Sequence, residues 1–196
     1  MSDKHYSLTK EASSETIESW SRRSYIGEEL QVKLAKADAL IVPYEGYGEK
    51  GDVHYFPEGT EHLISFLQRN NHEDQHIDIC IEDSDYKELA QHYDLLIIAG
   101  AIATAVCAPI FVNLVSEYIK QRLGSRMNDT TLKTSLTISD DKEGKSVSFT
   151  YEGPASTYEK VMLGAMNDPG LQGDELSPTV KRIHAAPDIE VDNESR

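Results

Sequence analysis

Gly46-Tyr47-Gly48-Glu49-Lys50-Gly51 has the spacing of a loop that cradles phosphate, with glycines where the backbone must approach a pyrophosphate. Such a loop needs a strand before it and a helix N-terminus behind it. The apolar run Ala39-Leu40-Ile41-Val42 supplies the strand. Pro43, Tyr44 and Glu45 intervene, Asp52 to Pro57 read as extended, and Glu45 and Glu49 repel phosphate. A nucleotide-responsive protein using the 46–51 glycine loop therefore stands only as an alternative. His72-Glu73-Asp74-Gln75-His76-Ile77-Asp78 gathers metal-ligand types. Histidines four residues apart share a face only on a helix, and this stretch reads as a polar loop entering a strand. No metal and no cofactor is expected. Tyr44, Tyr47, Tyr55 and Phe56 share one loop, 44–59, and aromatics exposed on loops anchor protein interfaces. With Ile110, Phe111 and Leu114 they form the candidate interaction residues. G-x-S-x-G, Walker A, H-E-x-x-H and C-x-x-C patterns do not occur, so no catalytic residue is assigned and the chain is expected not to be an enzyme.

The balance of 19 basic against 34 acidic residues gives a net charge of −15. A chain that acidic repels nucleic-acid backbones, and its densest basic stretch is only Lys120, Arg122 and Arg126. No nucleic-acid partner is expected. Cys80 and Cys107 both sit in apolar stretches, which reads as two small buried hydrophobes rather than a disulfide framework. Met1 to Trp20 is polar and lacks a signal-peptide pattern, so a cytoplasmic location is expected.

The elements that must position these residues follow from periodicity. Residues 1–12 are polar and expected to be mobile. Ser13 or Ser14 caps a helix over about 14–36, which Gly27 weakens into two. A buried strand covers 39–42, and a helix capped by Thr60 runs to Arg69 with Leu63, Phe66 and Leu67 on one face. Ile77, Ile79 and Ile81 alternate with polar neighbours, which predicts a half-buried strand. Ser84 then caps a short helix to about Tyr93. Beyond Pro109 the pattern is amphipathic, and Gly124 ends the helix. Leu132, Thr134, Leu136 and Ile138 alternate, as do Val147, Phe149 and Tyr151, on either side of Asp140-Asp141-Lys142-Glu143-Gly144-Lys145, which predicts a β-hairpin. A helix from about Ala155 to Met166 follows. The last stretch, from Asn167, carries Pro169, Pro178 and Pro187 and few apolar residues, so it is expected to be disordered.

Leu95 to Ser116 holds no charged residue in 22 positions. At about 1.5 Å per residue a helix of that length spans about 30 Å, the thickness of a bilayer core. Its Leu, Ile, Val and Phe residues sum to about −5 kcal/mol of insertion free energy before Gly100, Thr104, Pro109 and Asn113 subtract from it. The flanking charges argue the other way, because acids precede the segment and Lys120, Arg122 and Arg126 follow it. Membrane contact through 95–116, as a single-span inner-membrane component or membrane-acting effector, is the alternative to a central buried helix.

From about Leu95 to Met166 a charge-free helix ends in Lys120-Gln121-Arg122-Leu123-Gly124, a hairpin with a charged glycine turn follows, and Tyr151-Glu152-Gly153-Pro154 introduces a short helix. This layout resembles the effector-associated constant component of bacterial conflict systems. The resemblance covers about a third of the chain. It implies a non-enzymatic component that couples sensors to effectors in bacterial defence, and it supplies no catalytic residues.

The expected fold is α+β: short strands with flanking helices over 14–93, then one long apolar helix with a β-hairpin and helix over 94–166, and a disordered acidic tail over 167–196. The expected function is a non-catalytic adaptor or regulatory subunit working through a protein partner and self-association.

Overall fold

The structure, a computed structural model, describes residues 5–47, 53–71, 75–91, 95–140, 145–167 and 183–184. A mixed sheet forms the centre. Its strands are β1 (Ser7–Ser13), β2 (Ala39–Val42), β5 (Ile77–Ile79), β7 (Leu95–Ile97), β8 (Gly100–Thr104), β9 (Thr131–Asp140), β10 (Lys145–Pro154) and β11 (Ile183–His184). The spatial order is β11-β1-β10-β9-β8-β2-β5, with β7 also beside β9. A second, smaller sheet orders β3 (Tyr44–Tyr47), β4 (Val53–Pro57) and β6 (Glu88–Leu89) as β3-β4-β6. The helices are α1 (Ile17–Ser21), α2 (Glu28–Leu34), α3 (Thr60–Asn70), α4 (Cys107–Leu123) and α5 (Tyr158–Met166). The α+β class expected from the sequence holds.

Two crossover units share the sheet's middle. β2 pairs in parallel with β5 by way of α3, and β8 pairs in parallel with β9 by way of α4. β2 and β8 themselves are antiparallel neighbours. Crossovers are right-handed because a twisted strand feeding a helix packs back on the sheet only that way. Two crossovers of one hand, leaving antiparallel neighbours in opposite directions, must put both helices on the same face. Accordingly, Leu63 and Phe66 of α3, Phe111 and Val115 of α4 and Met162 of α5 share one core with Ala39, Ile41, Ala101 and Ala103. The alternate strand residues Leu40 and Ile102 point the other way. There they join Ile17, Trp20 and Leu34 under α1 and α2. The period of two along β2 and β8 thus feeds two cores.

The predicted hairpin is present in full register, Lys145 opposite Asp140 through Pro154 opposite Thr131. The helix expected beyond Pro109 is also present. It buries Phe111, Val115, Tyr118 and Ile119 while Asn113, Glu117, Lys120 and Gln121 face outward, and it ends at Gly124 with φ +53°.

Several expectations are corrected. The polar N-terminus is not free: Ser7–Ser13 is a strand paired along its whole length with β10. The stretch 14–36 does divide into two helices at Gly27, but Thr16 rather than Ser13 or Ser14 caps the first through reciprocal bonds with Ser19. Thr60 does not cap α3. Gly59 does, at φ +89°, while the Thr60 hydroxyl donates to the Pro57 carbonyl at 2.6 Å. The helix after Ser84 is one 3-10 turn, Asp83–Asp85, leading to strand β6. Asp78, on the polar side of the alternation, is buried rather than solvated, while Cys80 is buried as expected and packs under α1 and α2.

The largest correction concerns 95–116. The segment is β7, then β8, then only the first part of α4. A strand covered on both faces is apolar at every position, so it shows no period and reads like a buried helix. Among the described residues no helix is long and apolar enough to cross a membrane. The parts expected on either side of residue 93 share one sheet, since β2 pairs with β8 and β1 with β10. Of the tail, Asn167 follows α5, Ile183–His184 pairs with β1, and the rest lies outside the described residues.

Candidate functional site

The small sheet sits where β2 runs out. In sheets with parallel strands, loops at the carboxyl ends of strands are where ligands and partners are met. β3 follows β2 after Pro43 alone, and the turn after β5 brings Glu82 and then β6 to the same end. Two polar clusters fasten this sheet to the body of the protein.

The first is built on Glu88. Its carboxylate accepts the amide N–H of Gly59 at 2.9 Å and that of Glu61 at 3.0 Å, at the N-terminus of α3. The Tyr86 hydroxyl donates to it as well. Orphan amides and a positive dipole end favour a carboxylate at this place. Burial by itself pushes the carboxyl up. Hydrogen bonds from Tyr86 and from the amides of Gly59, Glu61 and Thr60 outweigh that and hold it below its ordinary value. β6 is held further by backbone bonds, Phe56 N–H to Lys87 and Glu58 N–H to Leu89. Gln91 then exchanges two bonds of 2.8 Å with the backbone of Ile97, tying the segment to β7.

The second cluster is built on Arg23. Its guanidinium meets Glu15 at 3.0 Å and Glu45 of β3 at 3.3 Å, and lies 4.5 Å from the Trp20 ring. The Arg23 Nε is buried with no hydrogen bond, so the pairing with Glu45 is ionic rather than aligned. Tyr25 donates to the same Glu45 oxygen at 3.1 Å and packs, with the rings tilted by 37°, against His54 of β4 at 3.9 Å between ring centres. Burial, the Cys80 thiol and Glu45 push the Tyr25 phenol up, so it stays a donor. Below it Cys80 donates to the Trp20 carbonyl at 3.4 Å, and burial with Glu45 nearby pushes its thiol up to about 12. A thiol held that far from ionisation is no nucleophile. With Arg23 already matched by two carboxylates, this cluster is a fastening and offers no charge to an anion.

The fastened sheet has two unlike sides. Phe56 is wholly buried and stacks on Tyr86 with centres 5.2 Å apart. In register, Tyr44 stands opposite Tyr55 and Leu89 opposite Pro57, two residues along from Tyr55. Tyr44, Tyr55 and Leu89 therefore share the other side. Tyr44 is 40% and Leu89 38% exposed, and Tyr55 is half-buried. Large apolar groups exposed this far are few among the described residues; the others are Val32 and Val106.

The seven candidate interaction residues thus divide. Tyr44 and Tyr55 come together on the outward side. Tyr47 lies in β3 opposite Val53, with its side chain outside the described residues. Phe56 and Phe111 are core residues and are withdrawn from the surface. Ile110 and Leu114 are half-buried on α4, and Leu114 packs against the main core. Sequence reasoning missed Leu89 and Glu88. Leu89 sits alone among polar residues, and Glu88 meets its partners 27 and 29 residues away. No local pattern carries either.

The glycine loop does not lead to a helix. Gly46 belongs to β3, 48–52 lie outside the described residues, and the chain resumes as β4. The next described element is therefore a strand, where a pyrophosphate site needs a helix N-terminus. Of the His72–Asp78 cluster, 72–74 lie outside the described residues. Asp78 binds Lys33 at 2.7 Å, with His76 3.6 Å away. Among the described residues no three His, Cys, Asp or Glu side chains converge as a metal site. The hollow beside Gly59, Ile97, Ala99 and Arg122 has no room for a water molecule, far short of a substrate pocket. Compared with models of known families, with curated proteins and with solved structures, the chain matches none.

Proposed function

We propose that this chain is a non-catalytic adaptor or regulatory subunit that holds a protein partner against the outward side of the β3-β4-β6 sheet. The observation that carries the reading is the two-sided small sheet. It is fastened at Glu88 and at Glu45, with Phe56 turned into the core and Tyr44, Tyr55 and Leu89 turned out. Rigid aromatic and leucine side chains on a fixed backbone are what interface centres use, because little entropy is lost when they are covered. A net charge of −15 favours a partner with a basic rim, since like charge steers acidic surfaces apart. Of the 95–166 layout that resembles the effector-associated constant component, α4, the hairpin and α5 remain although 95–104 is strand, and on that likeness we propose a bacterial defence system as the partner's setting.

The test uses the chain with Tyr44→Ser and Leu89→Ser together, and Val32→Ser as the control on α2. A partner is captured with the unaltered chain and its affinity measured for all three. Loss of about tenfold or more with the double variant, and none with the control, is the expected result. Equal binding by all three places the interface elsewhere and ends this reading.

A further inference from the structure

The stretch from Lys87 to Gln91 is held down mainly by hydrogen bonds. Lys87 to Ala90 are exposed and Gln91 is half-buried, so little apolar area is covered along it. Tyr86, just before it, is different: its ring packs against the main core, with its centre 5.2 Å from that of Phe56. Beyond Tyr86 the carbonyls of Lys87 and Leu89 accept the N–H groups of Phe56 and Glu58 at 2.8 and 2.9 Å. Between those two carbonyls the Glu88 carboxylate accepts the amides of Gly59 and Glu61. Gln91 catches the far end. Its carboxamide accepts the Ile97 N–H and donates to the Ile97 carbonyl, each at 2.8 Å, and donates to the Glu58 carbonyl at 3.0 Å. A carboxamide carries the donor and the acceptor of a peptide group, so Gln91 exchanges both bonds with Ile97 as an opposed residue of an antiparallel pair does.

Exposed hydrogen bonds are exchanged for bonds to water at little net cost, whereas apolar burial is not. Segments held by such bonds open before the core does, and as contiguous units. The holds here are chained as well. Gln91 bonds the carbonyl of the same Glu58 whose N–H is held by Leu89, and Glu88 bonds the next residue, Gly59. Losing one bond slackens the next. We propose that Lys87–Gln91 is a strap that opens as one unit from its anchor at Tyr86, with Gln91 as the catch, and that it gates the outward side of the small sheet. Leu89 rides on the strap, so it stands with Tyr44 and Tyr55 only while the strap is shut. The consequence for a partner rests on the reading above. The opening itself is measured with no partner present, so the two fail separately.

Amide hydrogen exchange of the full chain reads the strap directly, because the Glu58 N–H is freed when Leu89 leaves it. In the unaltered chain Phe56, Glu58, Gly59 and Ile97 are expected to share one protection factor, below that of the β9–β10 ladder. Gln91→Ala removes the catch without removing any bond of the Phe56 or Gly59 amide. It is expected to speed all four amides together, by about tenfold or more, and to leave the ladder unchanged. Glu88→Gln works from the other end, and is expected to speed Ile97, with which Glu88 shares no bond. Acceleration confined to Ile97 in the first variant and to Gly59 and Glu61 in the second means separate holds and overturns the proposal. Unequal protection of the four amides in the unaltered chain, or no acceleration in either variant, overturns it too. So does a ladder that speeds up by the same factor, since the opening is then unfolding of the whole protein.

Discussion

Glu88 is where the site and the fold are joined, so its removal is the informative perturbation. In Glu88→Ala the amides of Gly59 and Glu61 lose their acceptor, and the positive end of α3 loses its counter-charge. Loss of a side-chain cap costs about 0.5–2 kcal/mol, and a charge at a helix end adds about 0.3–1 kcal/mol before salt screening. The carboxylate is largely exposed, so the lower part of each range applies. A destabilisation of about 1.5 kcal/mol, or about 3–6 °C in Tm for a chain of this size, is expected. Glu88→Gln keeps one acceptor oxygen and no charge, and should lose about half of that. The pH dependence has a definite sign. The folded carboxyl lies below its unfolded value, so its contribution is present above the unfolded value and disappears as pH falls through the folded one. The gap between wild type and Glu88→Ala, measured by urea unfolding from about pH 7 to about pH 3, must therefore close on the acid side. A gap that persists at low pH, or no gap at neutral pH, would refute the account of Glu88 as a charged helix cap.

Three further outcomes follow from particular contacts. Asp78 is buried while its partner Lys33 is 58% exposed, so the pair is asymmetric. Lys33→Ala strands a buried carboxylate and should cost about 2 kcal/mol in denaturant unfolding, whereas Asp78→Asn frees only a solvated amine and should cost about 1 kcal/mol or less. Gly59→Ala forces a side chain into a left-handed backbone and moves the Arg122 guanidinium, whose Nη1 lies 2.5 Å from the added carbon; about 1–2 kcal/mol is expected from the backbone, read as a lower Tm. Burial pushes the thiols of Cys80 and Cys107 up to about 12, so a thiol reagent at about pH 8 should label neither until the protein unfolds; prompt labelling of either would contradict the two-core packing.

Elements whose signal is local were legible in the sequence. The β9–β10 hairpin shows its alternation because one face of each strand is core and the other polar, as Leu136 and Phe149 contrast with Lys133 and Thr150. The solvent-facing row of α4 shows through for the same reason. Elements buried on both sides were illegible. β8 sends Ala101 and Ala103 to one core and Ile102 to the other, so every position is apolar or small and the helix–strand distinction vanishes. Pro109 lies in the first turn of α4, where the missing N–H is no loss. β1 failed in the opposite way. Lying at the margin of the sheet, it buries only Leu8 and reads as polar. The site was half legible. Aromatic content located the 44–59 stretch, but which ring turns inward depends on register with β6, and β6 is two residues long.

The pairing of β1 with β10 also sets a timetable. Ser7 finds its partner at Glu152, more than a hundred residues later in the chain. Ribosomes add about 5–20 residues per second, so β1 waits about 7–30 s for the strand that receives it. Through that interval Ser7–Ser13 is a nascent segment with no place to dock, and the main core stays open along Leu8. Its polar composition, which hid it as a strand, is what keeps it soluble and unentangled until β10 arrives.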